Sequence, residues 1–307
     1  MLHQGFQCIY YICEPMVNPD NMMERYVDLH IHSTASDGSM NPKDIIKYAK
    51  ARNLSAISIT DHDTVDGIGE ALFEAQKEGV EFIPGVEISV DYSGEMHILG
   101  YFSHSNYINI KPTLDKLRKC RVERTPQIID KLKELGIDIE MDEVLKEALG
   151  KIVGRPHIAK VLINKGYVAS SEQAFSKYLS SGKTAYVKKE RLSPKEGIEC
   201  ILRAGGVPIL AHPKYLCSSL HDLDLELSRL SKFGLMGMEV YYTDHSKVEV
   251  GNYLRLAIKH SMLATGGSDF HGEFKPSIEM GIGRGGLKVP YIVFEKLKLA
   301  IENQSGL

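Results

Sequence analysis

Residues 26–62 have the sequence YVDLHIHSTASDGSMNPKDIIKYAKARNLSAISITDH, and this stretch decides the fold. YVDLHIHS has the pattern of a strand, and LSAISITDH has the pattern of a second one. NPKDIIKYAKARN between them has the spacing of an amphipathic helix, with Asn41 as the N-cap and Pro42 at the first helical position. A strand, a helix and a strand in succession predict two parallel neighbouring strands.

The same alternation of strands and helices continues on both sides of a central segment. A helix at 67–79 is closed by Gly79, a residue type favoured after the last helical turn. Further strands are predicted at 80–92, 95–103, 206–212, 237–242 and 262–271, and further helices near 194–204, 221–233, 246–260 and 291–302. The whole pattern predicts an α/β fold with a largely parallel sheet, covering residues 25–103 and 191–307.

The central segment, residues 104–190, lacks strand patterns and carries four predicted helices near 111–135, 140–149, 155–165 and 171–180. Lys and Arg number 17 against 10 Asp and Glu over residues 104–189, so this segment carries +7 within a chain of net charge −3. We predict an all-helical insertion. Its basic faces are either solvated surface or a lid that attracts a phosphorylated substrate.

Composition adds few constraints. The chain has 307 residues, and no apolar run is long enough for a membrane span. Five scattered cysteines without CxxC spacing favour reduced thiols in a cytoplasmic protein. Residues 1–24 differ from the rest and match a signal peptide poorly, so we expect a poorly ordered leader, with translation starting naturally at Met22 or Met23. No obligate protein partner is indicated.

Histidines and carboxylates gather where the predicted strands end. His30 and His32 form an H-x-H pair, and residues at i and i+2 of a strand point the same way. The other residues of this kind are Asp37, Asp61, His62, Glu87, His97, His212, Asp269 and His271. Because parallel strands bring their carboxyl ends to one face of a barrel, we expect these side chains to converge on a site for several metal ions.

The motifs DLHIHSTASDGS, SITDHDT, PGVEIS, HILGY, GRPHIA, AHP and GSDFH stand in the order seen in the polymerase and histidinol phosphatase (PHP) family. The resemblance covers residues 25–290. It is closest to the branch of 3′,5′-nucleoside bisphosphate phosphatases and 5′-to-3′ exoribonucleases. It implies a distorted (β/α)7 barrel with a helical insertion.

The resemblance also implies a ligand set for two to three divalent ions, with Mn, Fe or Zn suited to imidazole and carboxylate ligands. A metal-bridging hydroxide would attack phosphorus, with Asp37, His62, Glu87 and His271 as the catalytic ligands. One ion would be held by His30, His32, Glu87 and Asp269, a second by Glu87, His97 and His212, and a third by Asp37, His62 and His271. Asp61 is an additional site residue.

Basic residues of the insertion are candidates for substrate contact. Arg155 and His157 lie in GRPH, and Arg118 lies where this branch contacts substrate. Arg155 could clamp a second, non-reacting phosphate, or it could cap its own helix or pair with a barrel carboxylate. Gly281, Gly283 and Gly286 spell G-x-G-x-x-G, but without a strand before and a helix after them we interpret this as a glycine-rich loop.

We therefore predict a phosphatase that converts a 3′,5′-nucleoside bisphosphate such as pAp to the 5′-monophosphate, with 5′-to-3′ trimming of short RNA as a further activity. Its partners would be small nucleotides or short oligoribonucleotides, with no membrane involved. The alternatives are a phosphatase for a non-nucleotide ester such as histidinol phosphate, and a metal-stabilised nucleotide-binding module without turnover. A metal hydrolase acting on C–N bonds is less favoured, because its substrate would lack a phosphate for Arg155 to bind.

Overall fold

The computed structural model of the chain describes residues 25–148, 154–187 and 191–306. The expectation of a poorly ordered leader concerns residues 1–24, which lie outside the described residues. None of the described helices is long and apolar enough to cross a membrane.

An eight-stranded sheet forms the centre of the molecule, in the order β7-β6-β5-β4-β3-β2-β1-β8. The strands are β1 (Tyr26–Ile31), β2 (Ala56–Ile59), β3 (Glu81–Ser89), β4 (His97–Tyr101), β5 (Val207–Leu210), β6 (Gly237–Tyr242), β7 (Leu263–Gly267) and β8 (Val289–Pro290). The helices are α1 (Pro42–Ala51), α2 (Ile68–Glu78), α3 (Lys111–Glu134), α4 (Met141–Ala148), α5 (Arg155–Asn164), α6 (Ser171–Ala174), α7 (Pro194–Arg203), α8 (Leu220–Ser231), α9 (Lys247–Lys259) and α10 (Tyr291–Ser305).

The sheet closes on itself between β7 and β1. The backbone N–H of Asp269 donates to the His30 carbonyl at 2.9 Å, and the N–H of His32 donates to the Phe270 carbonyl at 2.9 Å. The other half of β1 pairs with the short antiparallel β8, through Tyr26 and Val27. Because only the second half of β1 bonds to the segment after β7, the seven strands β1–β7 form a distorted barrel. This confirms the predicted fold class.

Strand β4 departs from the expected parallel arrangement. It is antiparallel to both β3 and β5, with Ser89 opposite His97 in the β3 pairing. Residues 90–96, which join the two strands, force this direction, because parallel neighbours need a crossover of about a dozen residues or more. As a result, the first residue of β4 lies at the same end of the barrel as the last residues of β3 and β5. His97 thereby reaches the face where the other histidines lie.

Two hydrophobic clusters pack against the sheet. One joins the strands to α10, through Val293, Phe294 and Leu297. The other packs the sheet against the surrounding helices, with Ile45 of α1 and Leu227 of α8 among its members. Each strand is thus buried on both faces, as expected for barrel strands covered by helices.

The helices between β4 and β5 bury a third hydrophobic cluster of their own, in which all members lie between residues 128 and 187. Ile129, Leu132, Ile158 and Leu162 are among its buried side chains. The helix predicted near 171–180 is divided, because α6 is followed by a π-helical turn at Phe175–Leu179. A separate core is consistent with an insertion domain at 104–190, whose boundaries stay a prediction.

Two predicted helix ends can be compared with the structure. Gly79 closes α2 in the left-handed conformation, with φ +72, which confirms its role. Asn41 occupies the N-cap position of α1, but its side chain makes no bond to the helix backbone. Its Oδ1 instead accepts a hydrogen bond from the Thr34 hydroxyl at 3.1 Å, so Asn41 connects the helix to the loop after β1.

Candidate metal centre

The predicted ligands converge at one end of the barrel, around the carboxylate of Glu87. Oε2 of Glu87 lies 3.2 Å from Nε2 of His30, 3.1 Å from Nε2 of His32 and 3.4 Å from Nδ1 of His62. The same nitrogen of His32 lies 3.3 Å from Oδ1 of Asp269. One buried carboxylate oxygen therefore faces three imidazoles supplied by two strands.

The second oxygen of Glu87 faces a different pair of imidazoles. Oε1 lies 2.8 Å from Nδ1 of His97 and 3.0 Å from Nε2 of His212. His97 begins β4 and His212 follows β5. The two oxygens of Glu87 thus divide the histidines into two groups, as a carboxylate that bridges two ions would.

A third group forms around Asp37, which is half exposed. Oδ1 of Asp37 lies 3.3 Å from Nδ1 of His32 and 3.5 Å from Nε2 of His271, and Oδ2 lies 3.9 Å from Nε2 of His62. These four residues offer ligand atoms that all lie within 4.8 Å of one another. The structure therefore brings all nine predicted ligands together, and their coordination of metal ions stays a prediction.

Unpartnered nitrogens in this cluster fit the presence of ions. Both ring nitrogens of His32, Nδ1 of His62 and Nδ1 of His212 are buried and form no well-aligned hydrogen bond among the described residues, although carboxylate oxygens lie 3.1–3.4 Å from three of them. Buried polar atoms without good hydrogen bonds cost free energy, and a bound ion would offset this cost. Imidazole nitrogens and carboxylate oxygens with no thiolate suit divalent Mn, Fe or Zn.

The cluster has strongly coupled protonation states in the absence of ions. Burial lowers the pKa of His30, but Glu239 and Glu87 outweigh it and raise the pKa to about 10. Burial disfavours the ionised form of Glu87, yet the surrounding imidazoles, among them the protonated ring of His30, hold its pKa well below the usual range. Burial lowers the pKa of His62 to about 4, so that ring is neutral near pH 7.

Two ligands lie on unusual backbone conformations. His212 has φ +24 and Asp269 has φ +58, both in the left-handed region. For residues other than glycine such a conformation costs about 1–3 kcal/mol of free energy, and it persists only where the surrounding structure enforces it. Asp269 is fixed in this position by Tyr242, whose hydroxyl donates to Oδ2 at 2.9 Å, and by Lys275, whose Nζ donates to the same oxygen at 2.8 Å.

Asp61 has a supporting position. Its carboxylate accepts hydrogen bonds from the N–H and hydroxyl of Ser33, at 2.7 and 2.6 Å, and from the hydroxyl of Ser36 at 2.6 Å. It belongs to none of the groups of candidate ligand atoms among the described residues. Asp61 therefore fixes the loop that carries Asp37.

Two buried carboxylates escaped the sequence analysis. Glu239 of β6 has one oxygen 3.1 Å from Nδ1 of His30 and accepts from the backbone N–H of His212 at 2.8 Å. Asp28 of β1 accepts from the backbone N–H groups of Ser268 and Gly281, at 2.9 and 2.7 Å. Burial raises the pKa of Asp28 to about 6. A carboxylate inside an apolar strand was the available signal for both.

The contact with Gly281 also explains the glycine-rich loop. Gly281 has φ +80, a conformation suited to glycine, and donates its N–H to buried Asp28. No helix follows it before the two-residue strand β8. The loop packs against the base of the site, and the interpretation as a plain glycine-rich loop is consistent with this arrangement.

The cluster opens into a cavity of ≈ 260 Å³. Tyr215, Tyr242, Lys275 and Arg284 line it beside the predicted ligands. Arg284 is paired with Asp244 at 2.9 Å. Lys275 is likewise paired with Asp269 at 2.8 Å, and Glu87 and Glu95 also line the cavity, so bound metal ions would have to supply the positive charge that an anionic molecule needs.

The predicted substrate contacts lie on the insertion. Arg118 donates to the Thr64 hydroxyl at 3.1 Å and pairs with Asp66 at 2.8 Å, so α3 crosses the barrel rim close to His62. His157 uses Nδ1 to accept the backbone N–H of Gly154 at 3.1 Å, which caps α5. Substrate contact by both residues stays a prediction.

Arg155 makes neither of the structural contacts considered for it, a cap on its own helix or a barrel carboxylate. Nη1 donates to the Leu179 carbonyl at 2.9 Å, and the guanidinium lies over the rings of Phe175 and Tyr186 at 5.5 and 5.9 Å. Arg124 stacks on Tyr186 from 5.6 Å, and its Nη2 is buried without a partner. Two neighbouring guanidiniums have no paired carboxylate among the described residues, so anion binding at this point is electrostatically favourable.

An α/β barrel whose mouth holds clustered imidazoles and carboxylates defines the class of metal-dependent barrel hydrolases. A family model described as the PHP domain matches residues 28–173. The chain is 34% identical over 250 residues to a 5′-3′ exoribonuclease of Haemophilus influenzae, a match that covers 81% of this chain and 91% of the relative. It is 30% identical to a 3′,5′-nucleoside bisphosphate phosphatase of Chromobacterium violaceum, with 83% and 90% covered.

A solved structure agrees with the sequence matches. An amidohydrolase from Chromobacterium violaceum, with bound sulfate and no metal, superposes with a TM-score of 0.65 at 29% identity, covering 90% of this chain and 96% of the other. The chain belongs to the PHP family. It is an enzyme that hydrolyses phosphoric esters with the help of metal ions, as the motifs predicted.

Proposed function

We propose that this enzyme removes a phosphate monoester from a nucleotide, converting a 3′,5′-nucleoside bisphosphate such as pAp to the 5′-monophosphate. Trimming of short RNA in the 5′-to-3′ direction is a further activity of the same site. The proposal is supported by the cluster of candidate metal ligands around Glu87, which opens into a polar cavity of ≈ 260 Å³. Relatives named for these two activities match over most of the chain.

The ligand cluster provides for two or three divalent ions. Bound there, such ions would supply a water of lowered pKa and neutralise charge on the phosphoryl oxygens. Glu87 is buried between two groups of imidazoles and keeps them in fixed positions. Asp37 is half exposed beside His32 and His271, so a phosphoryl group that reaches this side of the cluster would meet its carboxylate.

Recognition of a second phosphate would come from the insertion. Arg155 and Arg124 place two guanidiniums around Tyr186, without a paired carboxylate among the described residues. Burial and the nearby charge of Arg155 lower the pKa of Arg124, and an anion would relieve this repulsion. We expect a molecule with two phosphates to contact the metal cluster with one and the guanidiniums with the other, which would favour a bisphosphate over a simple ester.

A substrate screen tests the proposal. Purified protein is loaded separately with Mn, Fe or Zn, and its metal content is measured. Phosphate release is then followed from adenosine 3′,5′-bisphosphate, adenosine 3′-monophosphate, a short 5′-phosphorylated RNA and histidinol phosphate. We expect the bisphosphate to have the highest kcat/KM. A metal-loaded protein that turns over histidinol phosphate but no nucleotide or oligonucleotide contradicts the proposal.

A further inference from the structure

Glu95 precedes His97 by two residues in the hairpin between β3 and β4. It is exposed, whereas Met96 between the two residues is buried. Because alternate residues of an extended chain point to the same side, Glu95 and His97 face the same direction. Both residues line the cavity above the metal centre.

The carboxylate of Glu95 is close to two predicted metal ligands. It offers an oxygen that lies, together with one ring nitrogen of His97 and one of His212, in a group whose atoms are all within 4.8 Å of one another. These are the two imidazoles that meet Oε1 of Glu87. Two imidazoles therefore have a buried carboxylate on one side and an exposed carboxylate on the other.

Glu95 has no competing partner in the part of the chain that the structure describes. No hydrogen bond or ion pair is formed by its side chain there, whereas Asp244 on the same cavity wall pairs with Arg284 at 2.9 Å. Glu87 and Asp269 line the same cavity, so the unpaired carboxylate of Glu95 adds to its negative charge. A divalent cation bound by His97 and His212 would offset this charge.

We propose that Glu95 binds the ion held by Glu87, His97 and His212 while substrate is absent, and leaves that ion when a phosphate group enters. This inference rests on the metal-dependent hydrolysis proposed above. Two imidazoles and two carboxylates form a closed four-ligand set, whereas catalysis needs an open position. Exposure on the cavity side makes Glu95 the one ligand of the four that an entering phosphate can displace.

Manganese binding provides a test that does not depend on activity. Metal-free, full-length protein is titrated with Mn²⁺, and free and bound ion are separated by electron paramagnetic resonance, with and without saturating inorganic phosphate. Wild type is compared with Glu95→Gln and Glu95→Ala. Asp91→Asn is the control, because it removes one charge from the same hairpin outside the ligand group.

We expect one class of site to bind Mn²⁺ roughly tenfold to 100-fold more weakly in both Glu95 variants, in the range seen for supporting groups of metal sites. Asp91→Asn should match wild type. With phosphate present, the difference between wild type and the Glu95 variants should largely disappear, because the phosphate then occupies the position of the carboxylate. Unchanged thermal unfolding of the metal-free variants shows that folding is intact.

Two results would overturn the inference. Glu95 variants that bind Mn²⁺ as wild type does show that the carboxylate is not a ligand. A loss of affinity that persists in saturating phosphate shows that no displacement occurs. If wild-type protein binds no divalent ion at all, the proposed function fails as well, so the two failures can be told apart.

Discussion

Nδ1 of His30 lies 3.1 Å from Oε1 of Glu239, and neither side chain is exposed to solvent. The other oxygen of Glu239 accepts the backbone N–H of His212 at 2.8 Å. One buried carboxylate therefore orients a ligand on β1 and fixes the backbone of a ligand after β5. With Nδ1 of His30 bonded to Glu239, its Nε2 is directed toward Oε2 of Glu87 at 3.2 Å, and a bound ion would replace the proton on this nitrogen.

Replacing Glu239 with Gln should weaken metal binding by roughly tenfold to 100-fold, because loss of the orienting carboxylate has that effect at other metal sites. The amide group cannot accept from both His30 and the backbone of His212. Metal affinity by titration and metal content after gel filtration provide the measurements. Glu74→Gln is the control, since it alters another buried glutamate, on α2, whose partners are Lys77 and Lys47. Equal metal affinity in the two variants would contradict the role of Glu239.

Metal binding should release protons and become tighter as pH rises. In the metal-free protein the pKa of His30 is raised to about 10, and the pKa of His32 lies well above its usual value, so both rings are protonated near pH 7. An ion needs their lone pairs, and each displaced proton changes affinity by about tenfold per pH unit. Calorimetric titration in buffers of different ionisation enthalpy counts these protons. Affinity that is independent of pH between 6 and 9 would disprove the coupling.

The same protonation states predict the stability of the metal-free protein. Protonated His30 stabilises the folded state, because its pKa is raised from 6.5 to about 10 by folding. This stabilisation is fully present below pH 6.5 and is lost as pH rises through about 10. The lowered pKa of Glu87 and Asp269 stabilises the fold above their unfolded values and is lost in acid. Thermal unfolding without metal should therefore show a maximum between these limits. Bound ions should remove this loss of stability at alkaline pH, because a metal-bound ring of His30 has no proton to lose.

Replacement of Asp37 separates a catalytic role of its carboxylate from a structural one. Its side chain is half exposed and faces His32 and His271. We therefore expect Asp37→Asn to fold as wild type does and to have a kcat at least about 100-fold lower, the loss that follows removal of an electrostatic group from an active site. Phosphate release and thermal unfolding are measured together. Asp44→Asn on α1 is the control for loss of an exposed carboxylate. Unchanged turnover in Asp37→Asn would show that Asp37 is not a catalytic ligand.

The fold was predictable because its signals are local. Alternating strands and helices, the glycine at the end of α2 and the strand-free segment before β5 all depend on residues close in sequence. The direction of β4 was not predicted. The connection after β3 is too short for the crossover that a parallel strand needs, and the alternation of strands and helices does not reveal this. The side-chain bonds of Asn41 also depend on Thr34, a residue in a loop that the helix pattern does not describe.

The candidate site was predictable where polar residues end apolar strands. His30, Glu87 and His212 were found in this way, and the structure brings them together. Glu239 and Asp28 were missed because a single carboxylate within an apolar strand resembles a solvent-facing residue until the strand is known to be buried on both faces. Whether such a carboxylate faces water or a ligand depends on closure of the barrel, which no local pattern determines.

Arg155 should determine preference for a second phosphate. Arg155→Met removes the guanidinium beside Tyr186, and we expect KM for adenosine 3′,5′-bisphosphate to rise by at least about tenfold, as loss of one charge-assisted contact implies. KM for adenosine 3′-monophosphate, which has the reacting phosphate but lacks the second one, should change little. Steady-state kinetics with both substrates provide the comparison.

The control for this variant is Lys160→Met, which removes the same charge from α5 at a position paired with Glu147 at 2.6 Å. Arg155 also donates to the Leu179 carbonyl, so its loss should lower stability by about 1 kcal/mol whatever its contact with substrate. Stability alone therefore cannot decide its role, whereas the ratio of the two KM values can. An equal rise in KM for both substrates, or a change in stability without any change in KM, would assign Arg155 to the packing of the insertion rather than to recognition of the second phosphate.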